Sequence, residues 1–348
     1  NDEANQAYKC GQLLDSGEYA YDPVDHHGPT LYYLTLPVAW LTGRSTFTET
    51  REHTFRIVPV LFAVGVIVLL WALADGIGWG GVLVAALLTA VSPAMVFYSG
   101  FYVQEMLLVF FTLGAIGCGW RYARRHCWTW AVGFGLSIGL MHATKETCVL
   151  AYAALAGALA VLALTDGEFR RNALRSVRPG HVVVGLCCAA TVSVLFFSSF
   201  FTHARGPLDS VLTYMNYLGR AGGAEHHYHP SPLYYISMLA WTRYPGGPGW
   251  SEGVILVLAL VGGTVAWRSP RTAPGPDQRF VRFFSVYALL LLMIYSLIPY
   301  KTPWCMLSFL QALIVLAGVG VQFLFRRCRP VWGRAAMAIA LTGAVTHL

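Results

Sequence analysis

Residues 131–164 read AVGFGLSIGLMHATKETCVLAYAALAGALAVLAL, two apolar runs joined at Thr144-Lys145-Glu146. Each run approaches the length of about 17–25 residues with which a helix crosses a bilayer. Arg121, Arg124 and Arg125 precede the first run, and Arg170, Arg171, Arg175 and Arg178 follow the second. Two spanning helices joined at a tight tip put that tip on one side of a membrane and both arginine clusters on the other. Basic residues gather on the cytoplasmic side, so Lys145 and Glu146 are expected outside.

Composition supports this reading along the whole chain. Of its 348 residues 56% are hydrophobic and 12% charged, against roughly 25% charged in a soluble domain. The net charge of +7 sits as arginine in short loops, which is topology rather than a nucleic-acid footprint. Spans are expected at 57–75, 79–98, 105–121, 128–143, 147–165, 181–201, 251–267, 283–299, 304–325 and 332–348. With residues 1–56 outside, these ten put every multi-arginine segment on one side, including Arg268–Arg282 and Arg326–Arg334. One helix more or fewer would break that agreement. The chain opens in a polar stretch without Met and closes in an apolar run. It reads as a piece of a longer protein with one N-terminal helix missing.

The expected architecture is an all-α polytopic membrane protein, a single domain over 1–348 with outer loops 1–56 and 202–250 capping a site. Both loops far exceed the usual connection of about 4–6 residues. Each holds an aromatic apolar stretch too short to span, Pro29–Leu41 and Pro232–Trp241, which fits a helix at the headgroup level. Residues 244–250 read as a turn-rich hinge. The eight cysteines include no CxxC pair and read as small apolar residues between helices.

The polar residues on the expected outer side are the unusual ones. Thirteen of the seventeen acids fall there, as do all three lysines, Lys9, Lys145 and Lys301. Topology does not call for outer lysine. A compact ammonium suits a phosphate held as a point charge, although pairing with Glu105 or Glu146 would explain Lys145 equally. Glu105 and Glu146 stand at ends of apolar helices, where a charge is costly unless it is paired or faces a wet cavity. Asp2 and Glu3 at a membrane exit could be ordinary solvated charges. His26-His27 and His226-His227-Tyr228-His229 could ligate Zn²⁺ or Mn²⁺, but the spacing is not specific, and substrate contact or solvation fits as well. Gly28-Pro29 would open an interfacial helix with Asp25, His26 and His27 at its N-terminus.

In order, the motifs are Asp2-Glu3, His27-Gly28-Pro29 and Glu49 with Thr54-Phe55-Arg56. Next come Phe97-Tyr98-Ser99-Gly100-Phe101-Tyr102 with Glu105, then Ala143-Thr144-Lys145-Glu146, then Tyr300-Lys301-Thr302-Pro303-Trp304. This order resembles the GT-C superfamily of membrane glycosyltransferases, on the branch of protein O-mannosyltransferases and aminoarabinose transferases. HGP and YKTPW are most similar to the group named for flippase-associated proteins of archaeal N-glycosylation. The resemblance covers nearly the whole chain. It implies a GT-C bundle of about ten visible transmembrane helices, and transfer of a hexosyl or pentosyl unit from a polyprenyl-phosphate sugar to an acceptor hydroxyl on protein, lipid or glycan.

By the same resemblance the site faces outward from the plasma (inner) membrane. Asp2 or Glu3 is base or metal ligand, and Glu105 assists, where many relatives carry Asp. A divalent ion, Mg or Mn, would sit on Asp2 and Glu105. Asp25, His27, Lys145, Glu146, Arg243, His229, Tyr300 and Lys301 would contact substrate, with lysines on the lipid phosphate. One displacement by the acceptor implies inversion. The alternatives are a lipid-linked-sugar flippase or transport component, and a non-catalytic subunit of a larger membrane complex. Inverted repeats, usual in transporters, are not evident.

Overall fold

The computed structural model describes residues 2–24, 27–221, 231–243, 246–247, 249–269, 275–328 and 343. Asp25, His229 and, apart from residue 343, the expected span 332–348 lie outside the described residues. Among the described residues, six segments are long and apolar enough to cross a membrane: Glu52–Val91, Glu105–Arg125, Cys148–Thr165, Pro179–Phe197, Gln278–Leu297 and Pro303–Arg327. The chain is an integral, multi-pass membrane protein.

The described residues include a helix at every expected span but the last, yet fewer meet the length of a span. Helices α3 (Glu52–Leu69) and α4 (Ala74–Val91) follow each other through a 3₁₀ turn at Leu70–Leu73. The non-helical residue Gly78, with φ 78°, falls in the gap between the two expected spans. Helices α7 (Trp128–Thr144, 17 residues) and α13 (Gly253–Arg268, 16 residues) are helical but short. The described chain groups into two compact units, one of residues 1–66, 97–151 and 176–228, the other of 67–96, 152–175 and 229–348.

The first unit contains α1 (Asp2–Ser16), α2 (Thr30–Leu41), most of α3, α6 (Glu105–Arg125), α7, α10 (Pro179–Phe197) and α11 (Gly206–Ala221). Helices α7 and α10 meet backbone to backbone: a Cβ on Gly135 would lie 2.1 Å from the Gly185 carbonyl oxygen. Such small-residue seams are how helices associate where lipid gives no hydrophobic drive between them. Helix α6 buries most of its length, ends on left-handed His126 (φ 48°) and keeps Arg121 buried over the Trp130 ring.

Two helices of this unit were not anticipated. The buried face of α1 is Gln6, Lys9, Cys10, Gly11 and Leu13. In α11, Asp209, Ser210 and Thr213 are buried while Leu208, Val211, Leu212 and Met215 are exposed. Helix α11 inverts the usual pattern of polar outside and apolar inside, and α1 mixes Gln6 and Lys9 into its buried face, so a search for an apolar stripe facing a core passes over them.

The second unit contains most of α4 and α8 (Cys148–Thr165), with α9 (Gly167–Ser176), α12 (Tyr234–Ala240), α13, α14 (Gln278–Leu297) and α15 (Leu307–Arg327). The short α5 (Pro93–Ser99) bridges the two sets of residues in the chain. Helix α15 is the core: Leu307 through Val321 is buried almost without interruption. A Cβ on Gly320 would lie 2.2 Å from the Leu258 carbonyl oxygen, so α13 lies directly on it. The aromatic stretches expected as short helices do form α2 and α12. Of the expected turn-rich segment 244–250, residues 246–247 are turn and bend, and Gly249–Trp250 (β2) pairs antiparallel with Thr242–Arg243 (β1).

Candidate functional site

Four sequence positions bring the site of the first unit together: the ends of α1, α2, α6 and α7. Residues 27–30, leading into α2, lie against 143–146, and each contributes a reason. A Cβ on Gly28 would sit 2.2 Å from the Ala143 carbonyl oxygen, so only glycine allows the approach. Thr30 Oγ1 donates to Thr144 Oγ1 at 2.8 Å. Pro29 precedes the first turn of α2 with φ −77°, the value its ring favours. His27 Nδ1 lies 2.9 Å from Glu146 Oε2, and the Tyr21 hydroxyl donates to Glu146 Oε1 at 3.3 Å. The HGP and TKE motifs, 115 residues apart (Thr144 against Pro29), are therefore one surface.

Beside it, Lys145 Nζ donates to Glu105 Oε1. Both side chains are buried, at 6% and 2% exposure. Glu105 opens α6, where the helix dipole favours an anion. Its Oε2 is buried with no hydrogen-bond partner among the described residues. A carboxylate with an unused buried acceptor is costly and is the point in this unit with unspent hydrogen-bonding capacity on an acid. Burial pushes the Glu146 carboxyl up, but the His27 charge and hydrogen bond outweigh it, and the group stays below the ordinary range.

One face of α1 completes the arrangement. Glu3 takes a two-pronged contact from Arg56, Nε at 2.6 Å and Nη2 at 2.8 Å, and accepts from the Tyr102 N–H at 3.2 Å. The Arg56 hydrogen bond holds the Glu3 carboxyl below its usual value. Three residues on, Gln6 Oε1 accepts from the Tyr32 hydroxyl at 2.5 Å and from Gln104 Nε2 at 2.7 Å. Thr35 Oγ1 and the Tyr102 hydroxyl are 2.8 Å apart.

Apart from Asp25 and His229, each expected residue has a position. Glu105 with Lys145, and His27 with Glu146, are brought together as two pairs. Glu3 is occupied by Arg56, while Asp2 at the helix start is exposed. Arg243, exposed, and Tyr300, half-buried, belong to the second unit. So does Lys301, 1% exposed, whose Nζ donates to the Ile298 carbonyl; burial lowers its ammonium pKa. No group of three or more His, Cys, Asp or Glu suited to a metal occurs among the described residues; Asp25, His26, His226, His227 and His229 lie outside them.

Sequence reasoning passed over Gln6, Gln104 and Tyr21 as members of this network, because neutral polar residues carry no charge signal. It also passed over Glu252 of the second unit, fully buried, whose Oε1 accepts from Ser92 Oγ at 2.6 Å and the Ala94 N–H at 2.9 Å. Burial raises the pKa of that carboxyl against the pull of those two bonds.

With this geometry in view, comparison with known proteins is informative. The family described as dolichyl-phosphate-mannose-protein mannosyltransferase matches residues 28–197, from the glycine of HGP to the end of α10. Compared with curated proteins, the sequence matches none. Its structure is similar to that of ArnT from Cupriavidus metallidurans bound to undecaprenyl phosphate, with TM-score 0.73 and 17% identity, covering 99% of this chain and 59% of that one. The apo state of the same protein gives 0.68 and 17%, over 98% and 58%. The archaeal oligosaccharyltransferase AglB from Archaeoglobus fulgidus, in complex with an inhibitory peptide and a dolichol-phosphate, gives 0.60 and 14%, over 99% and 50%. The chain spans a little over half the length of the ArnT structures it matches and half that of AglB. It has the fold of the GT-C superfamily of membrane glycosyltransferases.

Proposed function

We propose, with the GT-C fold as premise, that the protein transfers a sugar from a polyprenyl-phosphate donor to an acceptor hydroxyl at the extracytoplasmic face of the plasma membrane, with inversion. The observation that carries this reading is the buried Glu105–Lys145 pair beside His27 and Glu146, at helix ends of a fold whose neighbours hold polyprenyl phosphates.

The chemistry assigned to these residues is a single displacement. A carboxylate takes the proton of the acceptor hydroxyl as its oxygen attacks the anomeric carbon, and the bond from that carbon to the phosphate oxygen breaks. Of the adjacent acids, Asp2 suits the base better than Glu3. Asp2 is exposed, whereas Glu3 is engaged by Arg56 and held below its normal pKa, which weakens it as a base. Glu3 then has a positioning role, fixing the first turn of α1.

The departing phosphate needs positive charge. Lys145 supplies it by exchanging one anion, Glu105, for another, and the unused Glu105 oxygen is free to accept from a hydroxyl of the sugar or the acceptor. His27, oriented by Glu146, donates to the phosphate. Sugar type, hexosyl or pentosyl, is left to the outcome of donor screening, and so is the acceptor, whether protein, lipid or glycan.

The test uses the full-length protein in liposomes with synthetic polyprenyl-phosphate sugars, following release of polyprenyl phosphate. Asp2→Asn combined with Glu105→Gln is expected to abolish release while the protein still extracts as a folded monodisperse species. Undiminished release by that double variant would overturn the assignment. Donor crossing the bilayer with no release by the unmodified protein would favour a flippase.

A further inference from the structure

The ten-residue helix α9 has no part in the chemistry above, and its charge balance is unusual. It lies in sequence between α8 and α10, both long and apolar enough to span. The residues joining two consecutive spans run along one membrane surface, so α9 lies there. Its start is fixed twice. Asp166 Oδ1 accepts the N–H groups of Glu168 and Phe169, at 3.1 and 3.0 Å, a side-chain cap on the first turn. Asp166 Oδ2 accepts from Arg279 Nε at 2.8 Å, and Arg279 Nη2 donates to Glu168 Oε2 at 2.5 Å. Asp277 in turn caps α14 through the N–H groups of Arg279 and Phe280.

A consequence follows for charge. Asp166 and Glu168, the two acids of this segment, are both neutralised by Arg279, an arginine from elsewhere in the chain. The arginines of α9 itself, Arg170, Arg171 and Arg175, are exposed. None of them pairs with a carboxylate among the described residues. Arg171 and Arg175, four apart, stack on one face, and helical geometry puts Phe169 and Ala173, both half-buried, on the opposite face. A rigidly anchored helix thus presents three uncompensated guanidinium groups at the level of lipid headgroups.

We propose that Arg170, Arg171 and Arg175 of α9 form a binding surface for the phosphates of anionic phospholipids in the leaflet on that side. Guanidinium groups match phosphate oxygens in pairs. Positive-inside bias orients a chain during insertion; it does not require that neighbouring acids be removed by a distant arginine, which leaves these three charges without a carboxylate partner among the described residues.

Hydrogen exchange of the full-length protein in nanodiscs tests this. Amides of 167–176 are compared in phosphatidylcholine alone and in phosphatidylcholine with about one third phosphatidylglycerol. Each arginine near an anionic surface is worth about a fivefold change in partition, so exchange is expected to slow at least about tenfold with the anionic lipid. The slowing should vanish in R170Q/R171Q/R175Q while α8 and α14 exchange as before. It should persist in R170K/R171K/R175K, and high salt should erase it in the unmodified protein, a readout that stands even if the glutamine variant does not fold. Equal exchange in both lipids, or equal slowing in the glutamine variant, would overturn the proposal. Inorganic phosphate reproducing the effect in neutral nanodiscs would also overturn it, by making this a soluble-anion site.

Discussion

Two charge clusters sit at helix ends in this molecule, and they are built on opposite plans. In the second unit, Asp166 uses both oxygens, two backbone N–H groups on one and Arg279 on the other, and Arg279 extends to the half-exposed Glu168. In the first unit, Glu105 gives one oxygen to Lys145 and leaves the other unpartnered among the described residues, with both side chains almost wholly buried. A satisfied, partly wet network anchors a helix. A dry ion pair with an unused acceptor has little stabilising value against an apolar pair of the same size, so its retention is better explained by an exchange of partners.

The sharpest way to break this contrast is Lys145→Met. Leaving Glu105 buried without its counter-charge is expected to cost about 3–5 kcal/mol, read as a large fall in thermal unfolding temperature in detergent. Adding Glu105→Leu should restore most of that stability while sugar transfer stays absent. Full recovery of both would make the pair dispensable; recovery of neither would mean that the two do not compensate each other.

The neighbouring pair gives a pH signature. The Glu146 carboxyl is held below its ordinary pKa of 4.5. A group depressed in the folded state stabilises above its unfolded pKa, and that contribution is lost as pH falls through the folded value. Stability should therefore decline below about pH 4.5. Glu146→Gln should flatten that decline and cost about 1.5–3 kcal/mol at neutral pH, the value of a hydrogen bond to a charged group. An unchanged acid limb in the variant would detach Glu146 from it.

The smallest effect belongs to the satisfied cluster. Asp166→Ala removes a cap and an ion pair to an arginine that is 29% exposed. The cap is worth about 1 kcal/mol and the partly exposed pair adds at most about 1 more. Transfer activity should be untouched. Loss of transfer equal to that of the Lys145 variant would erase the distinction between the clusters.

The residues show why part of this was legible in sequence. Arginines at 121–125 and 170–178 against a lysine at 145 announce a helical hairpin, since lipid enforces both apolar length and charge sidedness. Glu105, Lys145 and Glu146 stood out because ionised groups at apolar helix ends are rare. Helix α1 was hidden: its inner face carries Gln6 and Lys9, and no hydrophobic period marks it. Helix α11 was hidden by the reverse, an apolar face turned outward.

The sequence by itself therefore determined a polytopic helical membrane protein, motifs that resemble the GT-C superfamily and the charged residues that are candidates for a site. Apolar length, charge bias and motif order are local along the chain and survive without coordinates. Only the tertiary structure decided the pairing. It put His27 on Glu146 and Lys145 on Glu105, engaged Glu3 with Arg56 and left Asp2 exposed. It also let Arg279 neutralise the acids ahead of α9. Such choices depend on which helix ends meet, and an unpaired buried charge costs so much that its partner, 40 residues away for Glu105 and Lys145, is selected by packing rather than by sequence distance.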